Sequence, residues 1–460
     1  MFKCLNRFMP IFGFIVKALS IKNKQYRAQP MLEKLFQLNK FGSNSKTEIM
    51  AGITTYLTMA YIIFVNPAML ADAGMDKGAV FVATCLAAAI GCFIMGFWAN
   101  LPVALAPGMG LNAFFTYGVV LGMGHSWQTA LGAVFLSGVI FILISAFKLR
   151  EWIINAIPTT LKKAIAAGIG SFLALIALKN AGIIVDHPAT LVGLGDITSF
   201  SPAMAILGFF LIVGLIQRNI PGAVMIAVLA VTVIGLVAGD VTYNGIMSAP
   251  PSLAPTFMQM DIAAALDVAM LSVVFAFLFV DLFDTSGTLI AVTERAGLTK
   301  SDGKVPRLGQ ALMADSTATM AGAALGTSTT TSYIESAAGV AAGGRTGMTA
   351  VTVGILFLLS IFFAPLAGMI PVYATAGAIF YVSILMMFTL KEVEWDDLTE
   401  AAPVVVVLLL TPLTFSIAHG ITLGFITYAV AKVLGGKANE LSSSVWVLAS
   451  LLLAKIIFIG

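Results

Sequence analysis

Three acids stand inside apolar tracts where a charge is expensive. Asp281 and Asp284 lie in Phe279-Val280-Asp281-Leu282-Phe283-Asp284-Thr285-Ser286-Gly287-Thr288, and Glu335 in Tyr333-Ile334-Glu335-Ser336. A charged side chain at the bilayer centre costs roughly 2.5–3.5 kcal/mol on insertion scales, so each is a candidate for holding a proton or a polar ligand. The i, i+3 spacing puts Asp281 and Asp284 on one helix face. The competing reading is a helix cap for Asp284 and a hydrogen bond to a neighbouring helix for Asp281. Asn112 closes the run Ala106-Pro107-Gly108-Met109-Gly110-Leu111-Asn112, where its amide either meets a ligand or caps its own half-helix. Asp315 reads as a packing or coupling residue. Other chemistry is missing. His125, His187 and His419 have no metal-ligand spacing, and no zinc-protease, nucleophile-elbow or phosphate-cradling motif occurs. Neither an enzyme, a metal site nor a cofactor is expected.

The elements that must position these residues follow from composition. Of 460 residues, only 10% are charged and 59% are hydrophobic. A soluble domain carries roughly 25% charge, and disorder requires far less apolar content. The chain therefore uses lipid as its solvent, and a net charge of +3 gives a nucleic-acid partner no support. Apolar runs of about 20 residues span a bilayer. They fall near 48–70, 79–99, 101–122, 127–147, 160–178, 202–216, 221–239 and 266–292, then 308–325, 327–343, 349–370, 372–390, 401–431 and 443–459. The tract 401–431, with Pro412 and Gly420, is long enough for one broken helix or two short ones. Cys85 and Cys92 read as small residues in one of these helices. With a cytoplasmic N-terminus, Lys and Arg concentrate on the inner side, and only Lys77, Lys179, Lys432 and Lys437 fall outside.

The runs form an all-α polytopic membrane protein of about fourteen helices in two seven-helix halves. A shift of 223 residues carries Asn112 onto Glu335, and Thr58 and Tyr61 onto Asp281 and Asp284. Seven is odd, so the second copy enters the membrane inverted. The third and tenth segments are both broken, the first by Pro107, Gly108 and Gly110, the second by the β-branched run Thr327 to Ser332. Inverted repeats with interrupted helices at matching positions point to a transporter with its site at the midplane. Gly339, Gly343 and Gly347 suggest tight helix packing.

These motifs carry a resemblance. Gly52-Ile53-Thr54-Thr55, the Ala106–Phe114 run, Asp281–Thr288 and Tyr333–Ser336 leading to Gly343–Gly347 resemble purine permeases of the azaguanine-resistance type, in the nucleobase:cation symporter-2 group. The resemblance runs from about Met31 to the end. It implies proton-coupled uptake of adenine, guanine or hypoxanthine across the cytoplasmic (inner) membrane by alternating access. Its substrate-carrying core would comprise residues 48–147 and 266–370, and its gate 148–240 and 371–460, often as a homodimer. Asp284 and Glu335 would hydrogen-bond the base, one of them titrating as proton carrier. Asn112 and Asp281 would support the base, with Phe114 or Tyr333 stacking on it. Residues 1–47 would be a cytoplasmic lead-in, of which 1–30 are expected to be dispensable. The alternative is an anion transporter of sulfate type on the same inverted-repeat fold.

Overall fold

The computed structural model describes residues 30–146, 158–299 and 305–458; the expectation for 1–30 lies almost wholly outside them. A short lead helix, Pro30–Phe36, precedes fourteen segments, numbered α1 to α14 in chain order. The first half is α1 (Ser45–Asp72), α2 (Lys77–Ala99), α3 (Met109–Gly122), α4 (Trp127–Ala146), α5 (Thr159–Asn180), α6 (Phe200–Gln217) and α7 (Ala223–Ala238). The second is α8 (Val268–Arg295), α9 (Leu308–Leu325), α10 (Ser336–Ala341), α11 (Gly347–Met369), α12 (Val372–Glu392), α13 (Leu398–Leu413) and α14 (Ile417–Leu434). Strand β1 (Leu105–Pro107) leads into α3 and β4 (Thr330–Ser332) into α10. Strands β2 (Ile184–His187) and β3 (Leu191–Leu194) form a hairpin between α5 and α6.

The first helix of the two copies differs in continuity. Helix α1 bends at Ala60 and Tyr61 and carries Pro67. Its repeat mate α8 runs unbroken for 28 residues, with Asp267 capping it by accepting from Ala269 N. Pro67 withdraws a further amide from the ladder of the first copy, a donor that the proline-free α8 keeps throughout.

The tract 401–431 takes the second of its two expected forms. It is a hairpin of two short helices, α13 and α14, turned by Thr414, Phe415 and Ser416. Phe415 adopts a left-handed φ of 49°, and Ser416 caps α14 by accepting from His419 N at 3.2 Å. The ends of the hairpin return to one face. Lys432 at the end of α14 bonds Glu400 in the first turn of α13 at 2.6 Å, and Lys437 bonds Asp397 at 2.6 Å. Lys432 and Lys437 thus lie with Lys391 and not on the opposite face. The correction sharpens the charge asymmetry, leaving Lys77 and Lys179 as the lysines opposite. Residues 443–459, counted as a fourteenth span, instead supply a further apolar helix, α15 (Ser443–Phe458), outside the two sevens.

Packing sorts the helices into two bodies. Helices α1, α2, α4, α8, α9 and α11 pack with one another and enclose β1 and β4. Helices α5, α6, α7, α12, α13 and α14 form the other, with α5 against both α12 and α13. Small residues permit the closest approaches: a Cβ on Gly347 would strike the backbone of Gly96, and one on Gly339 the Thr55 hydroxyl.

Candidate functional site

The two broken segments meet. Strands β1 and β4 pair antiparallel with Leu105 opposite Ser332, Ala106 opposite Thr331 and Pro107 opposite Thr330. All six are buried. Extended backbone at this depth survives only inside protein, where its polar groups find partners. The ladder extends on both sides: Gly108 N donates to Thr329 O at 3.0 Å and Tyr333 N to Ala104 O at 2.9 Å. Gly108 is required here, because a Cβ on it would stand 2.8 Å from Thr331 Oγ1. Since the strands are antiparallel, α3 and α10 leave the crossing in opposite directions, each with its N-terminus at the centre.

Around this crossing the chain gathers its acids. Asp284 is exposed to open space, and the Thr331 hydroxyl lies within its hydrogen-bonding reach. Glu335 is half-buried at the start of α10 and close enough to bear electrostatically on Asp284. The Tyr61 hydroxyl, buried at the α1 bend, donates to Glu335 Oε1 at 2.7 Å. From the second body, Tyr381 of α12 feels the charge of Glu335. The site thus lies where the two bodies face each other.

The remaining sequence candidates stand further back. Asn112 is fully buried and accepts from the Ser328 hydroxyl, tying α3 to the second broken segment; its Nδ2 has no partner. Phe114 is fully buried, its ring 5.0 Å from that of Phe277. Tyr333 is 5% exposed and donates to Pro107 O at 2.5 Å. Asp281 is 1% exposed and turns away from the opening, toward Asp315 of α9. The structure therefore brings Asp284 and Glu335 to one opening, and sets Asn112, Phe114, Tyr333 and Asp281 in the wall behind it.

The opening has a direction. Along α8, positions 284, 287, 291 and 295 share one face. Asp284, Gly287, Ala291 and Arg295 are all exposed, whereas Val280, Phe277 and Val273, continuing that face the other way, are buried. From Asp284 this exposed strip of α8 runs to Arg295, toward the Lys/Arg-rich face. At the opposite face the bodies are tied: Tyr117 Oη donates to Asp72 Oδ2 at 2.6 Å, and Asn180 Nδ2 of α5 donates to Tyr117 Oη at 3.0 Å.

Three positioning residues escaped sequence reasoning. The repeat matches Tyr61 to Asp284, but its own role as a donor to Glu335 was not read. Glu48, fully buried in the first turn of α1, accepts from Arg345 N at 3.0 Å, Thr346 N at 3.2 Å and the Thr349 hydroxyl at 2.6 Å, fixing the turn between α10 and α11. Asn100, with a left-handed φ of 49°, accepts from Gly347 N at 2.7 Å. An acid four residues into the first segment was the available signal for Glu48.

Comparison with known proteins places this arrangement. A family model described as "Permease family" matches residues 46–423. The chain is 51% identical to the adenine permease AdeP of Escherichia coli, over 95% of this chain and 98% of that protein. It is 46% identical to the guanine/hypoxanthine permease PbuG of Bacillus subtilis, over 89% of this chain and 96% of that one. Among solved structures, the transmembrane domain of the cyanobacterial bicarbonate transporter BicA matches with a TM-score of 0.62 at 16% identity, over 82% of this chain and 97% of that chain. At that identity the likeness concerns the inverted-repeat fold alone.

Proposed function

The chain belongs to this permease family, transporters and not enzymes, and on that premise we propose that it carries purine nucleobases into the cell together with protons. The observation that carries the reading is the pairing of Asp284 and Glu335 at one opening beside crossed half-helices, in a chain akin to adenine and guanine/hypoxanthine permeases. Carboxylate oxygens are acceptors and match the N–H donors of a purine edge. Glu335 commits Oε1 to Tyr61, leaving Oε2 for the base.

The body holding β1 and β4, residues 48–147 and 266–370, acts as the moving core, and 148–240 with 371–460 as the gate. The Lys/Arg-rich face is cytoplasmic under the positive-inside rule. The site then opens inward, with the Asp72–Tyr117–Asn180 tie sealing the outer side. Transport requires that tie to break while the inward path closes, the alternation expected of inverted repeats.

The test is uptake of labelled adenine, guanine and hypoxanthine into proteoliposomes under an inward proton gradient, each competed with the unlabelled bases and with uracil. Saturable, gradient-driven accumulation of at least one purine supports the reading. Failure of all three to accumulate or to move protons sinks it. The anion-transporter alternative is disfavoured by two carboxylates at the opening; sulfate uptake by Asp284→Ala/Glu335→Ala would restore it.

A further inference from the structure

Behind the opening lies a second pair of carboxyls. Asp281 of α8 is 1% exposed and Asp315 of α9 is 0% exposed. Their donors are all hydroxyls: Thr285 at 2.6 Å and Ser332 at 3.3 Å to Asp315 Oδ1, and Thr319 at 3.4 Å to Asp281 Oδ2. The other two oxygens, Asp281 Oδ1 and Asp315 Oδ2, are buried with no donor. Yet the two side chains lie within hydrogen-bonding reach of each other.

An ionised carboxylate only accepts, so two of them facing each other make no bond. A single hydrogen between them turns the contact into a charge-assisted O–H···O⁻ bond, a strong class of hydrogen bond. Among the described residues no cation bears on the pair; Lys162 of α5 lies 5.7 Å from the centre of the Phe283 ring, beside Asp284 in sequence. The other charge bearing on the pair is Asp284, one turn along α8, with Glu335 and the buried phenol Tyr333 beyond it. Helix α9 carries no titratable residue besides Asp315. Helix α4, packed against α8 and α9, carries none, and α2 brings only the buried thiols Cys85 and Cys92 within the bundle.

We propose that Asp281 and Asp315 form a proton site, separate from the substrate carboxylates, and that the hydrogen they share is the one that crosses with the purine. The proposal rests on the proton-coupled reading above, but moves the travelling proton one helix turn deeper than Asp284 and Glu335. The step is a simple protonation: the pair takes a proton from water at one face, passing from a charge of −2 to −1, and returns it at the other. Strand β4 links it to substrate. Successive residues of a strand point to opposite sides. Thr331 reaches Asp284 at the opening, while Ser332 donates to Asp315 behind. Glu335 follows three residues after Ser332, so a base pulling on Glu335 shifts the strand that holds the proton pair.

The experiment uses the full-length protein in liposomes with a lumenal pH dye and labelled adenine, guanine and hypoxanthine. Wild type is expected to acidify the lumen in step with uptake. Asp315→Asn keeps size and hydrogen bonding, and is expected to go on exchanging labelled for unlabelled purine while losing both acidification and accumulation against a gradient. Asp281→Asn should share that phenotype. Wild-type acidification by Asp315→Asn overturns the proposal, as does wild-type accumulation driven by sodium. Loss of exchange at a wild-type melting temperature assigns the pair to binding and also overturns it. A measurement independent of transport is infrared spectroscopy of Asp284→Asn/Glu335→Gln. It should retain a protonated-carboxyl band that a further Asp315→Asn removes; absence of the band overturns the proposal. Failure of wild type to take up any purine sinks the proposed function and the coupling role with it, while the band still decides whether the pair holds a hydrogen.

Discussion

Tyr61 has no charge, yet its phenol fixes one oxygen of Glu335 and so decides which remains for a ligand. Hydrogen bonds to charged groups contribute about 1.5–3 kcal/mol. Tyr61→Phe is therefore expected to lower uptake efficiency on the order of tenfold or more. The loss should appear mainly in KM, because the carboxylate itself remains; an unchanged KM in initial-rate uptake contradicts the positioning role. Neutralising the carboxylate should cost more. Asp284→Asn and Glu335→Gln are each expected to reduce uptake by roughly a hundredfold or more, with folding retained on size-exclusion chromatography. At this scale the sequence was legible for charges and opaque for partners. An acid in an apolar run announces itself by its cost. Tyr61 and Thr331 do not, because only the fold brings them within reach of those acids. Phe114 and Tyr333 lie beside the breaks, but which way a ring turns depends on neighbours such as Phe277, which lie distant in sequence.

The breaks were legible as elements because proline, glycine and β-branched runs each oppose helix for a stated reason. Their mutual pairing was not, since register between strands 225 residues apart leaves no local trace. Gly108→Val tests that pairing. The added Cβ meets Thr331 at 2.8 Å, and the expected result is near-complete loss of purine uptake with a fall of several degrees in melting temperature. Wild-type uptake would show the close approach to be unnecessary. Hydropathy left 401–431 open between one broken helix and two short ones for a related reason: three residues, one of them a left-handed Phe415, reverse the chain without interrupting the apolar average. Its ends carry a pH prediction. The Lys437 ammonium, then the Thr399 hydroxyl and amide, hold the Asp397 carboxyl down at about 2. A depressed acid contributes stability that is present above its unfolded value of roughly 4 and lost as pH falls through its folded value. Hydrogen exchange in residues 391–400 should therefore be protected at pH 5 and loosen progressively between about pH 4 and pH 2 relative to the chain average. Protection unchanged across that window would show the Asp397–Lys437 pair to be idle.

At the scale of the whole molecule, the burial pattern of α8 predicts accessibility. Cysteines at Gly287 and Ala291 should react with a water-soluble maleimide supplied from the Lys/Arg-rich face, and a cysteine at Val273 should not. Reaction at Val273 from the opposite face, without substrate, would mean that the resting protein opens the other way. The Tyr117→Phe variant, lacking the hydroxyl that joins Asp72 to Asn180, should shift this labelling toward Val273. Which loops share a face was largely legible in the sequence, because Lys and Arg cluster on one side. The conformational state was not, since either state is built from the same helices.

The repeat that builds the site also makes it lopsided. At positions 223 apart, one copy offers Thr58, Tyr61 and Asn112 and the other Asp281, Asp284 and Glu335. Both copies thread into one small volume, so acids in both would bring six carboxyls together, and mutual repulsion would leave them protonated or the fold open. Two like halves therefore cannot both carry the acids, and Tyr61, standing where its counterpart keeps Asp284, serves the acid of the other half. The two halves have become lock and handle, alike in outline and no longer interchangeable.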